Sequence, residues 1–146
     1  MQWLAVLAVP PLVMLGGCAA FSDDASSTAD GIQVAAAFYP LQYAAERVAG
    51  EHATVANLTS PGGEPHDLEL NPKETAQVAL ADLVVFQDGF QPAVDDAVET
   101  NATGDVLDVA ETVDLHADDP HFWHDPLLMA DLGDEVGHQQ LSLIHI

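Results

Sequence analysis

Four short apolar runs, each followed by a stretch with helical character, constrain this chain more than any other feature. They read IQVAAA, TVANLTS, DLVVFQ and DVLDVAE and begin at Ile32, Thr54, Asp82 and Asp105. Runs of this length bounded by turn residues are the size of strands and too short for buried helices. After the first, Leu41, Ala44, Ala45 and Val48 recur at i, i+3, i+4 and i+7 before Gly50, the spacing of one helix face. After the second, Asn71-Pro72-Lys73-Glu74 supplies an N-cap, a proline at the first helical position and a glutamate at the third, with Ala76, Ala79, Leu80 and Leu83 expected on the apolar side. QPAVDDAVET, with Val94, Ala97 and Val98 together, gives a third helix. Strands separated by helices pair in parallel, because a crossover brings the chain back to the same end of the sheet. The chain is therefore expected to be α/β, a parallel sheet with flanking helices in the order βαβαβαβ. A last helix opens at Asp125-Pro126 and carries Leu128, Leu132 and Val136 as an apolar stripe, expected to lie exposed unless a further part of the protein covers it.

In an open parallel sheet, ligands gather at the carboxyl ends of the strands. Two loops that leave those ends carry histidine. GGEPHDLELNP, residues 62–72, holds His66, and DPHFWHDP, residues 119–126, holds His121 and His124. Neutral imidazole is the commonest metal ligand among side chains, and a histidine beside a double glycine can be aimed more freely than one in a periodic element. By spacing alone, the pair fits a metal site and also two solvated loop residues. HFWHD is not a helical metallohydrolase motif, which needs histidines four apart and a glutamate beside the first.

The stretches AAFYPLQYAAERVAG, PGGEPHDLELNP, ADLVVFQDGFQPAVDDAV and DPHFWHDP follow one another over most of the chain after residue 31. Together they resemble the zinc/manganese ABC-transporter substrate-binding lipoproteins. The resemblance implies a two-lobed receptor that takes a divalent metal between its lobes and hands it to an ABC permease, without catalysis. It places one ligand in the Pro-His-Asp of the second-strand loop, His66, and another in the Pro-His-x-Trp-x-Asp-Pro motif, His121. Some members carry a carboxylate directly before the first histidine. Here Pro65 stands there and Glu64 lies one residue too early to be equated with it. His124 takes a place that is often aliphatic in the family and is expected behind the ligands or at the surface; Trp123 is expected to pack. Asp67 and Glu69 are expected to be solvated, Asp125 to cap the last helix, and His52 and His138 to be surface residues. His116 sits where many zinc-type members have a long His- and Asp-rich loop, here reduced to almost nothing, so no metal-gathering role is assigned to it.

On this resemblance residues 32–126 form the metal-binding first lobe, and residues 127–140 begin a helix towards a second lobe that the sequence does not include. Residues 141–146, LSLIHI, break the acidic pattern and are expected to be a non-native tail, so His145 carries no weight. Zn2+ is preferred as the cargo because a nitrogen-rich ligand set suits a borderline-soft ion, whereas Mn2+ favours more oxygen. The alternatives are a manganese receptor, a surface adhesin and, last, a metallohydrolase with an activated water.

The chain carries 24 acidic residues against two basic ones, Arg47 and Lys73, a formal charge of -22 that repels nucleic acid and anionic headgroups. No charge precedes Asp23. Residues 1–18 read as a signal peptide ending in LGGC, a lipobox whose Cys18 is acylated; it is the only cysteine, which excludes a disulfide within the chain. Residues 19–31 are a Ser/Ala/Asp-rich tether, and the domain is expected outside the cytoplasm on a lipid anchor. Cys18→Ser is accordingly expected to move the protein from the membrane to the soluble fraction, since no thiol remains to acylate. Membrane fractionation of the Ser variant in cells without the permease would overturn the anchor.

Overall fold

The computed structural model describes residues 31–115 and 119–144; the signal peptide, Cys18, nearly all of the tether, His116 and His145 lie outside the described residues. Four strands, β1 (Ile32–Ala36), β2 (Ala53–Asn57), β3 (Leu83–Phe86) and β4 (Asp105–Asp108), alternate with helices α1 (Tyr39–Ala49), α2 (Pro72–Leu80) and α3 (Pro92–Asn101). A single turn, α4 (Val109–Thr112), follows β4, and α5 (Pro126–Ile144) comes last. The sheet is parallel throughout, in the order β2-β1-β3-β4. The α/β expectation is met.

Local chemistry places these elements. Proline lies in the first turn of α1, α2 and α3, where the missing N–H has no helical partner to lose. Asn71 closes a full capping box: its side chain accepts from the Lys73 and Glu74 N–H groups, and Glu74 reaches back to the Asn71 N–H at 2.8 Å. This holds the start of α2 directly after the His66 loop. β3 is buried at every residue, and Val34, Ala35 and Ala36 of β1 are buried beside it, as strands covered on both faces must be. α1 packs with α5, and α2 with α3.

Three local expectations are corrected. The buried position of α2 is Val78, not the Ala76, Ala79, Leu80 side; Leu80 is 77% exposed, because the short helix turns the 78 and 81 positions onto the sheet. The fourth run is strand only to Asp108, whose Oδ1 accepts from the Ala110 N–H at 2.8 Å and starts α4. The stripe on α5 is not exposed: Leu132 and Val136 are fully buried, and Leu128 packs against the core. Their partner lies within the lobe itself. α5 lies along α1, with Gly133 and Gly137 facing Val48 at ordinary van der Waals distance. α5 also continues past residue 140, with Leu143 packed against the core. No helix among the described residues is long and apolar enough to cross a membrane.

Removing the Leu132 side chain opens a cavity where the stripe is sealed. Leu132→Ala should cost about 2–5 kcal/mol, whereas Leu127→Ala, at a site 73% exposed, should change stability by no more than about 0.5 kcal/mol. Equal shifts in urea midpoint for the two variants would contradict the packing of α5.

Candidate metal centre

From β1 the chain turns to β2 on one side, and from β3 to β4 on the other, so the crevice of this sheet opens at the carboxyl ends of β1 and β3. Phe38 follows β1, Phe90 follows β3, both are buried, and their ring centroids are 4.8 Å apart. Trp123 stacks into the same group, 5.1 Å from Phe38 and 5.7 Å from Phe90. The histidines arrive on this platform from the two edges. His66 comes from the β2 edge on a one-turn 3-10 helix, Pro65–Asp67, and lies 4.4 Å from Phe90. His121 comes from the β4 edge, just before a second 3-10 turn, Phe122–His124, and lies 5.1 Å from Trp123. The two imidazole centroids are 5.7 Å apart, with the rings at 70°.

That separation suits a shared ion. Two imidazoles bound to one zinc at about 2.0–2.1 Å with a tetrahedral angle have centroids roughly 5 Å apart. Among the described residues no group of three or more His, Cys, Asp or Glu side chains is close enough to hold a metal. Two imidazoles would fill half of a tetrahedral set. Neither neighbouring cleft is lined by both rings. A cleft of about 830 Å³ on the α2–α3 side is lined by His66, Asp67, Glu69 and Asp96, and one of about 320 Å³ by Asp119, His121, His124 and Asp125.

Backbone and carboxylate contacts orient each ring. Glu64 accepts from the His66 N–H at 3.3 Å, which commits it to the turn. Asp119 Oδ1 accepts from the His121 N–H at 2.9 Å and meets His121 Nδ1 at 2.7 Å. A proton on Nδ1 satisfies that contact and leaves the Nε2 lone pair for an ion. These His121 contacts hold the Asp119 carboxyl below its usual range. His124 is exposed and lies parallel to His121, with ring centroids 6.1 Å apart. Asp125 accepts from the Leu127 N–H and caps α5. His52 and His138 are exposed, on the α1–β2 turn and on α5. Sequence reasoning missed the platform, although its signal was present: Phe38 directly follows the first strand run and Phe90 stands three residues after the third.

This arrangement, four parallel strands with two histidine loops meeting over the switch point, is the architecture of the first lobe of the α/β metal receptors. The chain belongs to the family described as zinc-uptake complex component A, periplasmic, which it matches over residues 34–143. It is 29% identical to the manganese-binding lipoprotein MntA of Halalkalibacterium halodurans over 77% of this chain and 40% of that protein. It is 30% identical to the zinc-binding lipoprotein AdcA of Streptococcus pneumoniae over 80% of this chain and 28% of that one. The chain thus spans less than half the length of these relatives. Among solved structures, the metal-dependent lipoprotein YcdH of Bacillus subtilis superimposes with a TM-score of 0.69 at 25% identity, over 76% of this chain and 44% of that chain.

The first turn of α3 carries a partly buried carboxyl that reaches back to the β3–α3 turn. Asp95 Oδ2 accepts from the Gly89 N–H at 3.2 Å, while Oδ1 is buried with no partner among the described residues. Burial raises the Asp95 pKa above 3.8, the Gly89 bond lowers it in part, and Asp88, Asp108 and Asp96 raise it further. A carboxyl with a raised folded pKa binds its proton more tightly when folded. Its contribution to stability is present at low pH and is lost as pH rises from 3.8 through the folded value. Asp119, with the opposite shift, contributes stability that is present above 3.8 and is lost as pH falls below it. Asp95→Asn removes the ionisation, so its melting temperature should exceed that of the wild type by more at pH 7 than at pH 4. A gain that is the same at both values, or reversed, would refute the buried-carboxylate account.

Proposed function

We propose that this chain is the first lobe of an extracytoplasmic receptor that captures a divalent metal and presents it to an ABC permease, with zinc as the preferred cargo. The observation that carries the proposal is the His66–His121 pair: two imidazoles from opposite edges of the sheet, 5.7 Å apart on a rigid aromatic floor. Nothing is transformed in this process. Imidazole nitrogens replace water on the ion, and protons compete for the same lone pairs, so affinity falls as the medium is acidified. The other ligands come from outside the described residues, and a second lobe beyond α5 is the proposed source. His124 is proposed to sit behind His121 rather than on the ion. Lipidation at Cys18 fits relatives named as lipoproteins and would keep the receptor at the outer face of the membrane.

A manganese receptor is the second reading, favoured by the relative named as manganese-binding. The two histidines suit zinc better, and the choice rests on whether the remaining ligands are nitrogen or oxygen.

In the full-length protein, His66→Ala and His121→Ala should each weaken zinc binding by more than the roughly 10–100-fold typical of losing an outer-sphere partner. His52→Ala and His138→Ala should leave it unchanged. Competition with a chromophoric chelator measures all four, and equal affinities across the series would remove the ligand assignment.

A further inference from the structure

Two loop histidines are useful to an ion only if their separation is held, and neither loop is part of the sheet. The five residues between β3 and α3 lie beneath both. Gly89, at φ 74°, lets this segment turn sharply, and the Phe90 N–H closes it on the Gln87 carbonyl at 3.2 Å. Gln87 and Gln91 flank the turn and are 4% and 1% exposed. The Gln91 Nε2 donates to the Pro65 carbonyl at 2.8 Å and to Thr59 Oγ1 at 3.1 Å, and Thr59 in turn donates to the Ala37 carbonyl at 2.8 Å. The Gln87 Nε2 donates to the Pro120 carbonyl at 3.2 Å. Pro65 and Pro120 are the residues directly before His66 and His121. One turn therefore grips both ligand loops at equivalent points.

Each grip fixes more than an oxygen. The carbonyl of a residue and the N–H of the next lie in one plane, and proline holds its own φ near -65°. Anchoring the Pro65 or Pro120 carbonyl thus sets the direction from which the following histidine leaves the chain. The amide orientation is forced, because a carbonyl accepts only and each glutamine must present its NH2. The cost is visible: the Oε1 atoms of both Gln87 and Gln91 are buried without a partner among the described residues. Between the two grips, the Phe90 ring stands against both imidazoles, 4.4 Å from His66 and 6.3 Å from His121.

We propose that Gln87 and Gln91 are positioning residues that set the His66–His121 spacing, each acting through the histidine whose preceding carbonyl it holds. The proposal rests on the metal-receptor reading. The test uses the full-length protein with cobalt(II) alone as the probe, because the visible spectrum of cobalt reports its coordination geometry. Gln91→Met and Gln87→Met keep length and bulk while removing the donors. Each should weaken cobalt binding roughly 10–100-fold and change the absorption of the saturated protein. Since Gln91 acts through His66, adding Gln91→Met to His66→Ala should weaken binding no further, whereas Gln87→Met should keep its effect on that background. If one glutamine variant fails to fold, the other still tests the same device on its own loop. Variants that melt earlier yet bind cobalt with wild-type affinity and spectrum would reduce the glutamines to packing and overturn the proposal. If instead His66→Ala and His121→Ala bind cobalt as the wild type does, the metal reading falls and the clamp with it.

Discussion

The pairing of β1 with β3 is the constraint on which the rest of this lobe depends. Once those two strands lie side by side, the connection from β1 to β2 and the connection from β3 to β4 must leave in opposite directions. The carboxyl ends of the central strands are then left without a crossover above them, and a crevice forms there whatever fills it. The pairing is fixed close to its edges as well. β4 begins beside the end of the α2–β3 connection, where a Cβ on Gly104 would come within 2.4 Å of the Ala81 carbonyl oxygen. Only a residue without a side chain lets the strand start there, so the path of the fourth strand, and with it the arrival of the His121 loop, is set by backbone contact.

Over that crevice the two phenylalanines that lie just beyond β1 and β3, Phe38 and Phe90, do what the sheet cannot. They carry the apolar core upward into loop territory and give the histidines a surface that does not yield. An imidazole on an otherwise solvated loop would sample many directions; His66 lies against Phe90 and His121 against Trp123, which narrows that range. The charge on the chain works in the same direction over a longer range. A formal charge of -22 attracts divalent cations towards the surface without choosing among them. On the proposed reading, selection falls to the ligand set that includes the pair.

Much of the fold was legible in the sequence because each strand run is short and each of the first three helices begins at a proline. The loops bearing His66 and His121 were legible for the same reason: they follow strand runs and lead into capped helices. What could not be read was set by tertiary packing. The α5 stripe was expected to be bare because a helix pattern shows which residues are apolar and not what lies opposite them; α1 and the glycines at 133 and 137 supply the answer. The burial of Val78 in place of Leu80 is a rotation of a short helix by less than one turn, below what periodicity over nine residues resolves. Gln87 and Gln91 were invisible as anchors, since a polar residue in a turn is ordinarily solvated, and only the coordinates reveal that both amides face prolyl carbonyls.

The seating of α5 on α1 has a mechanical consequence. At about 1.5 Å per residue, the 19 residues of α5 make a rod roughly 28 Å long. It is clamped by Leu132 and Val136 near its middle and capped at its base by Asp125, four residues after His121. A rod seated along its length cannot swing about its base, so the contact of α5 with α1 also fixes the end of the helix from which the His121 loop departs.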